Sequence, residues 1–220
     1  MMGKKVGVLL SGCGVFDGAE IHEAVLTLLY LDQQGAEVVC MAPDIPQAHV
    51  INHLTQEEMK EEARNVLIES ARIARGDIKN IKEVKVGDID ALILPGGFGA
   101  AKNLSEFAFK GPEGEVNPDV KQLVNDMVNA GKPVGALCIA PATLGMAVKE
   151  KAPGMTIGKE EQVIGALNAI GIKHKVCAVD EIAVDEKNKI VTTPAYMLGP
   201  GIKDVAKGIE KVVTQILSMI

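Results

Sequence analysis

Residues 132–147 read KPVGALCIAPATLGMA and place a cysteine, Cys138, where an apolar run ends and helix-forming residues begin. If PVGALC is a strand of a parallel sheet, Cys138 stands at its carboxyl end, where such sheets gather their ligands. A side chain on a sharp strand-to-helix turn is exposed at the top of the sheet, as in a nucleophile elbow, although GALCIAP is not itself the GxSxG pattern. The free N–H groups and positive end of the following helix would favour the thiolate, the reactive form. Two further stretches supply partners. The run ALIL leads into Pro95-Gly-Gly-Phe-Gly99, where Gly96 and Gly97 let backbone approach a reacting atom closely. The N–H groups of Gly97 and Ile139 could then form an oxyanion hole. In SGCGVFDGAEIHEAV, Glu20 and Glu23 lie near the start of a helix, and either could reach the thiol as an acid or base.

The elements that must position these groups follow from the apolar pattern. KKVGVLL, AEVVCMA, ALILPGG, PVGALC, HKVCAV and KIVTTPA are short β-branched runs that alternate with segments of helical period. That alternation predicts an α/β fold with a mostly parallel central sheet and helices on both faces. Ile21 to Gln34 reads as an amphipathic helix ending at Gly35, and Asn117-Pro118 opens another that ends at Gly131. EIAVDEKNKIVTT predicts a hairpin turning at Asp185 to Asn188, and Ile202 to Met219 a closing helix. We expect a single domain over 1–220 with an inserted helical segment at about 44–83. There Thr55-Gln-Glu-Glu58 reads as a capping box, followed by Met59, Ala63, Leu67, Ala71 and Ala74 at helical spacing.

The bulk composition narrows the functional classes. A net charge of −6 with no basic stripe argues against nucleic acid, which needs clustered Lys and Arg. The first apolar run is too short for a membrane span or a secretory leader, so the sequence reads as soluble and cytoplasmic, with no membrane partner. Cys13, Cys40, Cys138 and Cys177 show no metal-like spacing among themselves or with the four histidines, which points to free thiols and no metal. Cys40 and Cys177 fall in strand candidates and read as core, whereas Cys13 lies in the first strand-end loop, near enough to the expected pocket to be a second thiol there. A dinucleotide reading of Gly12, Gly14 and Gly18 fails on spacing and on the lack of an acid after the second strand, so no cofactor is expected.

GAEIHEAV, LPGG and ALCIAP, in this order and spacing, resemble the ThiJ/PfpI superfamily of class I glutamine-amidotransferase-like proteins. With the 44–83 segment containing HVINHLT, they resemble its ElbB subfamily of glyoxalase-like proteins over essentially the whole chain. The resemblance implies a flavodoxin-like three-layer sandwich, often a homodimer. It also implies that Cys138 is the nucleophile and that Glu23 matches the family glutamate. The loop Thr192-Thr-Pro194-Ala-Tyr196 resembles the one behind the elbow, so Pro194 joins the expected pocket.

The chain departs from the superfamily's hydrolases in having Ile139 where peptidases of the PfpI type carry a histidine. None of His22, His49, His53 or His174 takes that place, although His53 lies in a segment that could fold over the site. A Cys-His-acid triad is therefore disfavoured. Addition of a thiolate to an aldehyde has no leaving group and needs only the Cys-Glu pair. The expected activity is thus a cofactor-independent glyoxalase, a lyase acting on a small aldehyde or dicarbonyl such as glyoxal. The alternatives are a redox or stress sensor using the same thiol and repair of glycated thiols and amines.

Overall fold

Residues 3–220 are described by a computed structural model. Nine strands alternate with eight helices: β1 (Lys5–Leu9), α1 (Ile21–Gln33), β2 (Glu37–Ala42), α2 (Val66–Ile73), β3 (Lys79–Asn80), β4 (Ala91–Leu94), α3 (Phe98–Lys102), α4 (Phe107–Lys110), α5 (Pro118–Asn129), β5 (Val134–Leu137), α6 (Ala140–Ala147), β6 (Gly154–Met155), α7 (Glu161–Ala169), β7 (Lys173–His174), β8 (Ala183–Asp185), β9 (Ile190–Thr193) and α8 (Ile202–Ser218). Seven strands form one sheet in the order β3-β2-β1-β4-β5-β9-β8. All pairings in it are parallel except the β8–β9 hairpin. This is the expected α/β sandwich of flavodoxin-like topology.

Both faces of the sheet are covered, which is why β4 and β5 are apolar at every position. Leu92 and Leu94 face a core built with α3 to α7, whereas Ala91 and Ile93 face one built with α1, α2 and α8. The sheet therefore holds the carboxyl ends of β1, β4, β5 and β9 side by side. The loops there interlock through the backbone: Glu20 N–H donates to the Gly96 carbonyl and Gly99 N–H to that of Gly18, both at 2.9 Å. These bonds dock the start of α1 onto the loop after β4.

Two expectations fail in physically clear ways. The helix expected from Met59 begins only at Val66, with Asn65 as its cap accepting from Ile68 N–H. The capping box at Thr55–Glu58 does not form. Residues 53–63 are exposed and offer no apolar face to bury, so helix propensity has nothing to pack against. The chain instead makes irregular backbone bonds, Met59 N–H to the Val50 carbonyl and Asn52 N–H to that of Glu57. Of HKVCAV only His174 is strand, as the end of β7, which pairs with β6 in a separate two-stranded sheet. Cys177 is buried outside any strand, while Cys40 is buried within β2.

Candidate functional site

Cys138 follows β5 directly. Its N–H continues the ladder to β9 by donating to the Thr193 carbonyl at 3.0 Å, and its φ of +59° turns the chain abruptly into α6. A non-glycine residue in the left-handed region costs about 1–2 kcal/mol, a strain characteristic of functional turns. The turn lifts the sulfur above the sheet end, but the loops overhead leave the residue only 7% exposed.

Glu23 reaches this sulfur from α1. Its helix begins at Glu20, whose carboxylate accepts from Glu23 N–H at 2.7 Å and caps the first turn. The Glu23 side chain is wholly buried. Its Oε2 accepts from Gly96 N–H at 2.9 Å, its Oε1 accepts from Tyr196 N–H at 3.2 Å, and it is hydrogen-bonded to the Cys138 thiol. Gly96 fits between the two side chains because it has none. A Cβ there would lie 2.6 Å from Glu23 Oε2 and would collide with Cys138 Cβ. Gly97 has φ +92°, and a Cβ on it would strike Glu20 N and the Gly18 carbonyl.

Burial dominates the electrostatics. It raises the Glu23 carboxyl to about 8, with the Glu20 charge adding to the rise and the Tyr196 and Gly96 N–H groups opposing it. Burial also pushes the Cys138 thiol well up, and the Glu23 charge adds to that. The N–H groups of Gly97 and Ile139 both donate to the sulfur and favour thiolate, but they do not outweigh burial. The expectation of a thiol pulled down by its helix end is therefore corrected: the resting pair is neutral, and its first ionisation is shared between two hydrogen-bonded acids. The Gly97 and Ile139 N–H groups thus have the sulfur as their acceptor.

The other expected site residues fall elsewhere. His53 makes its hydrogen bonds to Phe16 N–H, through Nε2 at 3.3 Å, and to the Ile51 carbonyl, through Nδ1 at 3.0 Å; among the described residues it has none to Cys138 or Glu23. It fastens the 44–83 segment to the first strand-end loop, because loop 46–53 has its own polar anchors there. Asp17 Oδ2 accepts from Ile51 N–H at 2.8 Å, and Asn103 accepts from Ala48 N–H at 2.9 Å. Cys13 is half-buried, and its charged neighbours are Glu69, Arg72, Asp17 and Arg64 rather than the Cys138 pair; burial, then Glu69, raises its thiol. Pro194 opens the turn after β9, but the contact from that turn to Glu23 comes from Tyr196. The sequence put Tyr196 in the loop behind the elbow but gave it no role, because the contact uses its backbone N–H, which residue type does not reveal. Glu20 was one of two equal candidates, and its capping role shows only in the helix start.

The comparisons agree with this geometry. The model of the DJ-1/PfpI family matches residues 8–197. A rat protein, "ES1 protein homolog, mitochondrial", is 45% identical over 98% of this chain and 84% of its own length. The human "glutamine amidotransferase-like class 1 domain-containing protein 3, mitochondrial" is 44% identical over 98% of this chain and 83% of its own. Among solved structures, an Ehrlichia chaffeensis "isoprenoid biosynthesis protein with amidotransferase-like domain" superposes with a TM-score of 0.92 at 36% identity, covering 98% of this chain and 99% of that one. The expected cytoplasmic location is overturned by these relatives, which are mitochondrial proteins. That expectation rested on the shortness of the first apolar run, which does not choose a compartment. The elbow cysteine with its buried glutamate, the sheet order and the match along 8–197 together place the chain in the DJ-1/PfpI family.

Proposed function

We propose that the protein converts a small dicarbonyl, glyoxal in the simplest case, to the 2-hydroxy acid glycolate without a cofactor. The observation that carries this reading is the buried hydrogen-bonded pair Cys138–Glu23, with the carboxyl raised to about 8 and no histidine bonded to either group among the described residues. A carboxylate of that basicity is matched to moving protons near neutral pH.

Glu23 takes the thiol proton as the sulfur forms a bond to one aldehyde carbon, and the carbonyl π pair moves onto oxygen. That oxygen is one bond from the sulfur and within reach of the Gly97 and Ile139 N–H groups that already point there. Glu23 returns that proton to the new alkoxide, giving a hemithioacetal, and then takes the hydrogen on the same carbon as a proton and passes it to the second carbonyl oxygen, giving an enediol. Return of a proton to the second carbon gives a hydroxyacetyl thioester, and water hydrolyses this to glycolate and free thiol. One carbon is oxidised and the other reduced, so no external electron acceptor enters. The sensor alternative requires a thiol that ionises readily in contact with solvent, and the burial of Cys138 weighs against it.

The test is direct measurement of glycolate from glyoxal by the purified protein beside Cys138→Ala and Glu23→Gln. Many equivalents from the wild type and none from either variant support the reading; no more than one equivalent from the wild type removes it. We also propose a homodimer. Ile21, Val25 and Leu29 lie along one face of α1, each 43–48% exposed, and form an apolar stripe suited to a second copy.

A further inference from the structure

We propose that Tyr196 and His22 form a clamp that positions the Glu23 carboxyl toward Cys138: His22 fixes the Tyr196 hydroxyl while the Tyr196 N–H fixes Glu23 Oε1. This rests on the reading of Glu23 as the proton acceptor for Cys138 and adds two residues to it.

His22 and Glu23 are consecutive residues in the first turn of α1, so their side chains diverge by about 100° around the helix. Glu23 turns inward to the strand ends and is fully buried, whereas His22 turns outward and is exposed. Tyr196 spans the two. Its hydroxyl lies 2.7 Å from His22 Nδ1, the rings are 5.8 Å apart between centroids, and its N–H reaches the inward carboxyl at 3.2 Å. The contacts thus close a small loop through α1 and the turn after β9.

That turn needs an external tie. Ala195, which leads it, is fully buried with φ +44°, a left-handed conformation that a side chain disfavours and that surrounding structure must impose. Among the described residues, the side-chain hydrogen bond from 194–198 to another element is that of Tyr196 to His22. The same turn follows Thr193, whose carbonyl accepts from Cys138 N–H. Nucleophile, carboxyl and clamp are therefore linked through three neighbouring strand ends. The titratable groups around Glu23 are Glu20 at the start of its own helix, Cys138 from the β5 elbow, and Tyr196 with His22 behind it.

The experiment follows the titration of the Glu23 carboxyl by carbon NMR of glutamate-labelled protein, its signal assigned by its absence from Glu23→Gln, in the wild type, Tyr196→Phe, His22→Ala and the double variant. Because the Tyr196 N–H lowers the pKa of Glu23, loosening it moves the inflection upward from about 8. We expect a shift of about half a unit or more in each single variant. The double variant should shift no further, since both changes break one clamp. An unmoved inflection in both single variants with wild-type melting temperatures overturns the clamp, as do fully additive shifts in the double variant. His22 is exposed, so His22→Ala remains informative if Tyr196→Phe folds poorly. The titration readout needs no turnover: shifted inflections without glycolate production would leave the clamp standing and remove the proposed reaction.

Discussion

The Cys138 thiol and the Glu23 carboxyl share a hydrogen bond in a site from which Glu23 is wholly cut off from solvent. Burial holds both groups up; the Glu23 charge raises the Cys138 thiol further, whereas the thiol's hydrogen bond lowers the Glu23 carboxyl. The pair therefore keeps both protons until pH nears 8, and loss of the first creates a nucleophile because Glu23 can exchange its proton with the sulfur. The catalytic rate should rise through about pH 8, where Glu23 becomes a base. In Glu23→Gln the charge that opposes the thiolate is gone, so labelling of Cys138 should be at least as fast as in the wild type at every pH while glycolate formation is lost. A pH–rate series of labelling measures this.

The same burial makes stability depend on pH. The folded-state pKa of Glu23 lies near 8, above the ordinary carboxyl value of 4.5, so the folded protein holds a proton that the unfolded chain releases. This contribution is fully present below pH 4.5 and is lost as pH rises through 8, by up to about 5 kcal/mol. Glu23→Gln stays neutral throughout. Its stability relative to the wild type should therefore climb between pH 5 and 8, whatever constant offset arises from exchanging an acceptor oxygen for an amide. Urea melts at four pH values within that window give the slope.

Gly96→Ala tests the closeness of the pair. The added methyl would intrude on Glu23 Oε2 and Cys138 Cβ together, and the Leu137 carbonyl at 2.9 Å blocks retreat. We expect a loss of at least about 100-fold in glycolate formation, together with a destabilisation of about 1–3 kcal/mol from overpacking. Kinetics and thermal melts of the one variant report both.

Asn103 ties loop 46–53 to the first strand-end loop. Its amide donates to the Ser11 and Asp17 carbonyls at 2.8 and 2.9 Å while its oxygen accepts from Ala48 N–H. Asn103→Ala strands three backbone groups and should cost about 2–4 kcal/mol. Limited proteolysis should then cut within 46–65 sooner than in the wild type.

Val25→Asp places a charge in the middle of the exposed stripe on α1. Sedimentation velocity should show the proposed dimer in the wild type and a monomer in the variant, with little change in melting of the folded chain.

The sheet and the elbow were legible because each depends on local pattern. The run VGAL is apolar at every position since both sheet faces are covered, and Cys138 stands where that run meets helix-forming residues. The glycines of the β4 loop declared close backbone approach in the same way. What the residues hid was non-local. The 55–63 stretch has the composition of a helix, but whether a helix forms there depends on a packing partner that only the fold provides. The thiol's ionisation was misjudged because helix ends and N–H donors follow from the elbow, whereas burial by three loops distant in sequence does not. Tyr196 acts on Glu23 through its peptide N–H, which every non-proline residue possesses. Only the Ala195 turn aims it.

The most direct measurement is the proton NMR spectrum of glyoxal turnover in D2O by the wild-type protein. The account predicts glycolate in many equivalents, carrying deuterium on its second carbon because Glu23 exchanges its proton with solvent before delivering it, and none from Cys138→Ala. Absence of glycolate beyond one equivalent, or glycolate made equally well by Cys138→Ala, would contradict it.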